Sequence, residues 1–242
     1  NIKLGLFDDG EQVRHHWRIA TERSRLEDEY VVLILSLLAT EGLKLQDIDG
    51  CAISSVVPGL TEVFSELAAR YLKVEPLVLR PETQTGMRVN IDYPAEAGPD
   101  LIANALAARH LYGAPVIVVS FGTATTFFCV SRNGNFEGVA IAPGILTSSD
   151  SLFRATATLP QVALSRPPAA IGKNTIHSLQ SGLIYGFTGL VKELVTRFQN
   201  ELGGDARVIA TGGLASLIAP ETNLFDAVEP DLALIGLRLV YQ

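Results

Sequence analysis

Asp100 is the residue of this sequence whose position best suits general-base chemistry. It follows Gly98-Pro99, and proline is favoured in the first turn of a helix, so the carboxylate stands at the start of a predicted helix. A carboxylate on a rigid element that faces a cleft can accept the proton of an attacking hydroxyl group. The alternative is a structural carboxylate that the positive end of the helix dipole favours.

Two glycine-containing turns are typical of contacts with a nucleotide. Gly122-Thr123 joins two predicted strands, where glycine permits close approach of a phosphate and the threonine N–H and hydroxyl can donate to it. The alternative is a buried hairpin whose threonines serve strand formation. Gly212-Gly213 follows a strand and suits an adenine or ribose shelf, but a plain strand-to-helix turn fits the local sequence equally well.

Composition excludes several classes of protein. The chain has 242 residues, of which 48% are hydrophobic, and its 19 basic and 26 acidic residues give a net charge of −7. No basic cluster favours a nucleic-acid partner, and no apolar run is long enough to span a membrane. Cys51 and Cys129 lie in apolar runs and indicate buried free thiols, which predicts a cytoplasmic protein.

The elements that position these residues form two similar series. A hairpin is predicted over 2–8 and 11–19, and a buried strand over 49–57. The second half has a buried strand over 115–121, strands over 123–131 and 136–141, and a long helix over 178–202. The repetition predicts a duplicated α/β architecture with domains 1–113 and 114–242, and a ligand cleft where strand ends meet loops.

Four collinear segments resemble the motifs of type III pantothenate kinases. They are Ser54-Ser55-Val56-Val57-Pro58, then Pro94-x-x-x-Gly98-Pro99-Asp100, then Ser120-Phe121-Gly122-Thr123-Ala124-Thr125-Thr126, and a downstream set that includes Ile141-Ala142-Pro143-Gly144, Gly172-Lys173-Asn174-Thr175 and Thr211-Gly212-Gly213. Any one segment is weak, but their shared order and spacing are hard to explain by chance.

This resemblance implies a ribonuclease-H-like, actin-type two-lobed fold, as in acetate and sugar kinases and Hsp70. It also implies ATP-dependent phosphorylation of pantothenate to 4'-phosphopantothenate in coenzyme A biosynthesis, with Mg²⁺ and a K⁺ or NH₄⁺ ion, by a homodimer. Asp100 then corresponds to the catalytic base. The substrate-binding positions are Gly98, Pro99, Leu101 and Thr175, and the ATP-binding positions are Asn1, Gly122, Thr123, Gly212 and Gly213.

Several motif positions depart from the family pattern. Ser120 replaces the aspartate that binds the monovalent cation, Leu101 replaces an arginine that pairs with the pantothenate carboxylate, and Ile91 replaces a tyrosine that contacts substrate. The family's D-x-G-N-T-N phosphate hairpin is represented only by Asn1, so we expect a short N-terminal piece to be missing. The alternative function is that of a weakened homologue acting as a regulatory or accessory subunit.

Overall fold

The computed structural model describes residues 1–10 and 12–242, and their contacts group into two units. The first unit comprises residues 1–86, 92–107 and 232–242, and the second comprises residues 87–91 and 108–231. This grouping differs from the predicted domains, 1–113 and 114–242, because it assigns the C-terminal helix to the first unit. The domain division read from the sequence stays a prediction.

The strands and helices largely follow the predicted order. In chain order, the strands are β1 (Ile2–Phe7), β2 (Val13–Ile19), β3 (Ala52–Ile53), β4 (Leu77–Val78), β5 (Val116–Phe121), β6 (Ala124–Val130), β7 (Phe136–Pro143), β8 (Arg207–Thr211) and β9 (Ala227–Val228). The α-helices are α1 (Glu27–Thr40), α2 (Leu60–Leu67), α3 (Pro99–Tyr112), α4 (Ile145–Ala155), α5 (Thr175–Leu202), α6 (Ala215–Ile218) and α7 (Leu232–Tyr241). None of the helices within the described ranges is long and apolar enough to cross a lipid bilayer.

The first unit contains two separate pairs of strands. β1 pairs antiparallel with β2, which confirms the predicted hairpin, although the predicted start of its second strand at residue 11 lies outside the described residues. β3 pairs in parallel with β4. The helix α7 contacts both β1 and β3, and a core that includes Tyr30, Leu38 and Leu67 forms where α1 and α2 pack together.

The second unit is built on one five-stranded sheet in the order β7-β6-β5-β8-β9. β5 lies at its centre and pairs antiparallel with β6 and in parallel with β8. All residues of β5 except Ser120 are buried, since the long helix α5 and the short helix α6 contribute apolar side chains to the same core. An apolar strand paired on both sides is what the uninterrupted hydrophobic run of this segment predicts.

One predicted element is much shorter than expected. The sequence predicts a strand over 49–57, whereas only Ala52–Ile53 is extended and paired. The Ser55 hydroxyl accepts a hydrogen bond from the Val57 N–H at 3.1 Å, and this local bond turns the chain instead of continuing the ladder.

Candidate functional site

The helix that carries Asp100 begins where the sequence predicts. The Gly98 carbonyl oxygen accepts hydrogen bonds from the N–H groups of Leu101 at 3.0 Å and Ile102 at 3.1 Å, so the first turn closes directly after Gly98. Pro99 occupies the first helical position, where its missing N–H removes no hydrogen bond. Asp100 therefore lies on the first turn of α3.

The Asp100 carboxylate is reached by water but is also closely surrounded by protein. Its side chain is exposed, yet burial of the carboxyl group raises the pKa of Asp100 above its ordinary value, while the N–H groups of Leu101 and of Asp100 itself act in the opposite direction. A Cβ atom at Gly98 would lie only 2.6 Å from Asp100 Oδ1. The carboxylate thus packs against Gly98, and desolvation outweighs the helix N-terminus in setting its proton affinity.

Asn104 supports this turn and is a residue that the sequence analysis missed. It is only 6% exposed, and its Nδ2 donates a hydrogen bond to the Asp100 carbonyl oxygen at 2.8 Å. Its Oδ1 is buried without a hydrogen-bond partner within the described part of the chain. A buried asparagine inside an apolar helix face is the signal that could have identified it.

A pocket of about 220 Å³ opens in the first unit beside the start of α3. Its lining residues come from α2, from β4 with the turn that follows it, and from the segments around them: Ser55, Thr61, Glu62, Val78, Leu79, Arg80, Pro81 and Pro99. Pro99 lines this pocket, and Asp100, the next residue along the chain, does not.

The Gly122–Thr123 turn joins β5 to β6 in the second unit, and both residues are exposed. The Gly122 N–H is occupied, because it donates to the Ala124 carbonyl oxygen at 3.0 Å. Within the described residues, the Thr123 N–H and hydroxyl have no hydrogen-bond acceptor. Two donors at an exposed turn suit an anion, so the geometry fits a phosphate oxygen at Thr123.

Gly144 and Thr147 fix the position of this turn through hydrogen bonds to its backbone. The Thr123 carbonyl oxygen accepts hydrogen bonds from the Gly144 N–H at 3.0 Å and from the Thr147 hydroxyl at 2.7 Å. A Cβ atom at Gly144 would overlap the carbonyl oxygens of Gly122 and Thr123. Gly144 belongs to one of the sequence motifs, but neither its bond nor that of Thr147 could be inferred from local spacing.

The two predicted nucleotide turns lie against each other. Gly212 has a φ of +92°, and a Cβ atom there would lie 2.5 Å from the Phe121 carbonyl oxygen at the end of β5. Close packing and a left-handed backbone therefore require this glycine without any ligand. Gly122 differs, since the nearest atom to an added Cβ is 3.5 Å away, so nothing inside the protein demands a glycine at that position.

Ser120 lies one residue before the end of β5, paired with Thr126 of β6 and Thr211 of β8. It is half-buried and offers a single neutral oxygen, which is a weak ligand for a hard cation. Within the described ranges no group of three or more His, Cys, Asp or Glu side chains is placed to hold a metal ion.

The structure thus forms two local groups from the predicted site residues. Gly98, Pro99, Asp100 and Leu101 lie together in the first unit, and the second unit brings Ser120, Gly122 and Thr123 together with Gly212 and Gly213. Thr175 is the exposed first residue of α5, and Asn174 caps that helix by accepting a hydrogen bond from the His177 N–H at 2.9 Å. Asn1 is exposed and directly precedes β1.

Comparisons with known proteins are consistent along the whole chain. A family model described as type III pantothenate kinase matches residues 1–197. A type III pantothenate kinase from Roseiflexus sp. (strain RS-1) is 56% identical over 242 residues, which span 100% of this chain and 94% of that protein. A type III pantothenate kinase from Moorella thermoacetica is 49% identical over 100% of this chain and 95% of its own length.

Two solved structures share the fold. A Baf family protein from Campylobacter jejuni, described as a transcriptional activator, matches with a TM-score of 0.55 and 21% identity, covering 81% of this chain and 84% of that one. The activator of 2-hydroxyisocaproyl-CoA dehydratase from Clostridium difficile, with bound ADPNP, has a TM-score of 0.54 and 12% identity, covering 98% of this chain and 88% of that one. These likenesses confirm the predicted mixed α/β fold.

Because the family model matches well over half of the residues and curated relatives align with the full chain at about half identity, the chain belongs to the type III pantothenate kinase family.

Proposed function

We propose that this chain transfers the γ-phosphoryl group of ATP to the primary hydroxyl of pantothenate and yields 4'-phosphopantothenate in coenzyme A biosynthesis. The observation that carries this proposal is the 56% identity to a type III pantothenate kinase over all 242 residues. The chemistry of the two local groups is compatible with it, since phosphoryl transfer needs positioning, charge neutralisation and a base more than it needs covalent catalysis.

Asp100 is the proposed base. The pantothenate hydroxyl oxygen attacks the γ-phosphorus, its proton passes to the Asp100 carboxylate, and the bond between the γ-phosphorus and the β,γ-bridging oxygen breaks to release ADP. The raised pKa of Asp100 makes its carboxylate a stronger proton acceptor than an ordinary aspartate. Gly98, Pro99 and Leu101 flank Asp100 in the sequence, and together with Thr175 they are the proposed pantothenate positions.

Thr123 is the proposed phosphate ligand, through its N–H and hydroxyl. The bonds from Gly144 and Thr147 to the Thr123 carbonyl oxygen fix the orientation of this peptide before a nucleotide binds. Such prior ordering is what electrostatic stabilisation of a transferring phosphoryl group requires. The remaining proposed ATP positions are Asn1, Gly122, Gly212 and Gly213.

The proposed ions differ in how well the residues fit them. Mg²⁺ keeps several waters and is held chiefly by substrate phosphates with one or two carboxylates, so it needs no preformed cage and would neutralise phosphate charge when bound with ATP. At the position implied by the family motif, a K⁺ or NH₄⁺ ion would meet the neutral Ser120 hydroxyl instead of a carboxylate. The residues present do not fit a dedicated monovalent-cation site, and we assign no step to that ion.

The proposed assembly is a homodimer in the cytoplasm. Large apolar side chains are exposed along β7 and α4, namely Val139, Ile141, Leu146, Leu152 and Phe153, and a contact between copies would cover them. Light scattering should give twice the chain mass, and Ile141→Glu should shift the measured mass towards that of the monomer.

The free thiols Cys51 and Cys129 agree with the proposed cytoplasmic location, because the cytoplasm is a reducing compartment.

The decisive experiment is a coupled ADP-release assay with pantothenate and Mg-ATP, run in parallel with K⁺, NH₄⁺ and Na⁺. We expect pantothenate-dependent turnover that differs little among the three ions. Absence of ADP release, confirmed by the lack of phosphopantothenate in mass spectra, would refute the proposed function. A strong requirement for K⁺ or NH₄⁺ would contradict our view of Ser120.

A further inference from the structure

The pocket beside α3 contains two charged side chains, Arg80 and Glu62. Both are exposed, and neither forms an ion pair or a side-chain hydrogen bond within the described part of the chain. Exposed charges are common, but two opposite charges that share one concave site and remain unpaired are available to a ligand that carries both polar and charged groups.

The Arg80 backbone is held by hydrogen bonds, whereas its side chain forms none within the described part of the chain. The Arg80 N–H donates to the Thr83 hydroxyl at 2.9 Å, and the Arg80 carbonyl oxygen accepts from the Thr83 N–H at 3.0 Å. This closed turn begins two residues after the end of β4 and fixes the point at which the Arg80 side chain leaves the chain. A guanidinium group has five donors in a planar arrangement that matches a carboxylate, which makes arginine the preferred partner for such a group.

Pro99 lines the pocket and Asp100 is the next residue along the chain, although Asp100 does not itself line the pocket. The proposed base and the pocket wall are therefore adjacent, with about 3.8 Å between their Cα atoms. Pantothenate carries its carboxylate at the end opposite the phosphorylated hydroxyl. At position 101 this chain has leucine, whose side chain cannot pair with that carboxylate.

We propose that Arg80 binds the carboxylate of the acceptor and thereby takes over the charge recognition that Leu101 cannot provide. This inference rests on the proposed function. Glu62 lines the same pocket and repels a carboxylate, so the anionic end of the acceptor is favoured at Arg80. Arg80 is a specificity-determining residue in this scheme, not a catalytic one.

The test compares two acceptors that differ only in the charged end, pantothenate and pantothenyl alcohol. For Arg80→Gln we expect kcat/KM for pantothenate to fall roughly 10- to 100-fold, mostly through KM, as for loss of a charged hydrogen-bonded pair. For the alcohol the change should stay below about twofold, because no carboxylate is present to be recognised. Arg80→Lys should lose less than Arg80→Gln. The matched control is Arg14→Gln, an exposed arginine on β2, which should change neither value.

Two results would overturn the role of Arg80. One is an Arg80→Gln variant that equals the wild type on pantothenate, and the other is an equal loss on both acceptors with an unchanged urea midpoint. If the wild-type chain releases no ADP, the proposed function fails separately. Binding of pantothenate and of pantothenyl alcohol, measured by calorimetry, then still tests the role of Arg80. Binding of pantothenate that Arg80→Gln abolishes would support the inference, and no binding to the wild type would refute it.

Discussion

The two units contain the same kinds of strand pair but join them differently. Each has an antiparallel pair and a parallel pair: β1-β2 with β3-β4 in the first unit, and β6-β7 with β8-β9 in the second. In the second unit, β5 connects the two pairs into one sheet, whereas no strand of the described residues does so in the first. Only the second unit therefore has a central strand that is paired on both edges.

This difference separates two kinds of candidate chemistry. In the second unit, the groups that fit a phosphate are the N–H and hydroxyl of Thr123 in the turn after the central strand, with Gly144 and Gly212 packed too closely to admit a side chain. In the first unit, the candidate groups are the side chains of Asp100 and Arg80. We therefore expect mutations in the second unit to act through geometry and stability, and mutations at Asp100 and Arg80 to act through turnover with the fold intact.

The largest expected effect is that of Asp100→Asn on turnover. Loss of a general base lowers kcat about 10²- to 10⁴-fold, and the amide has nearly the same shape as the carboxylate, so the fold should persist. The matched control is Glu96→Gln, an exposed carboxylate in the turn before α3, which should leave kcat unchanged. Rates come from the coupled ADP assay, and a loss smaller than tenfold would remove Asp100 from the base role.

The second largest expected effect is a loss of stability in the Gly144→Ala variant of the second unit. A methyl group there would overlap the carbonyl oxygens of Gly122 and Thr123, and overpacking of this kind costs about 1–3 kcal/mol. Displacing the turn should also raise KM for ATP, while KM for pantothenate changes less. Urea unfolding and steady-state kinetics measure the two effects.

The control for Gly144→Ala is Gly182→Ala, within α5. No atom lies within 4 Å of a Cβ atom at Gly182, so alanine should stabilise the helix by up to about 1 kcal/mol. If Gly144→Ala is as stable as the wild type and binds ATP equally well, the second unit does not depend on backbone packing as we infer.

Hydrophobic periodicity and short motifs were sufficient to predict a central element of each unit. The apolar run of β5 and the Gly98-Pro99 start of α3 are determined by neighbouring residues, and both are found where they are predicted. The strand expected over 49–57 is shortened by the Ser55 side chain, which bonds to the Val57 N–H. A competition between a local side-chain bond and a strand ladder cannot be decided from hydrophobic pattern alone.

The candidate site was only partly predictable for a different reason. Asp100 and Thr123 are recognisable because each belongs to a short motif. Thr147 and Asn104 act through single bonds to backbone carbonyl groups, and no residue type is specific for that role. Arg80 becomes a candidate only when β4, α2 and Pro99 converge on one pocket, which is a property of tertiary structure.

A smaller effect should distinguish the two cysteines, one in each unit. Burial raises the pKa of Cys51 to about 11 and that of Cys129 to about 12, so both are thiols at neutral pH. Cys51 is half-buried whereas Cys129 is buried, so we expect faster labelling of Cys51 by iodoacetamide. Mass spectrometry of the intact protein with Cys51→Ala and Cys129→Ala variants measures the ratio.

Equal labelling rates would show that burial of Cys129 does not limit its reactivity, which would weaken the comparison between the two units. Cys129 lies in β6, which is paired on both edges, whereas Cys51 lies beside the two-residue strand β3. Faster labelling of Cys129 would therefore contradict the expected order of the two units.

The smallest effect is a dependence of stability on pH that also originates at Asp100. Its folded-state pKa is raised above the ordinary value of 3.8 because burial disfavours the carboxylate. The folded chain then binds this proton more tightly than the unfolded chain, so the contribution of Asp100 to stability falls as pH rises from 3.8 through the raised pKa. Above that window the full penalty remains, and Asp100→Asn should have a slightly higher Tm than the wild type at neutral pH.

The advantage of Asp100→Asn should shrink as pH falls towards 3.8, where the wild-type carboxyl group becomes protonated in both states. The effect is small because the side chain is reached by water, which screens the charge. Calorimetric scans of the wild type, Asp100→Asn and Glu96→Gln from acidic to neutral pH measure it, and a variant that is no more stable at any pH would contradict the desolvation argument. A carboxylate whose removal stabilises the fold while abolishing turnover is retained for its chemistry, which is how a catalytic base differs from a helix-capping aspartate.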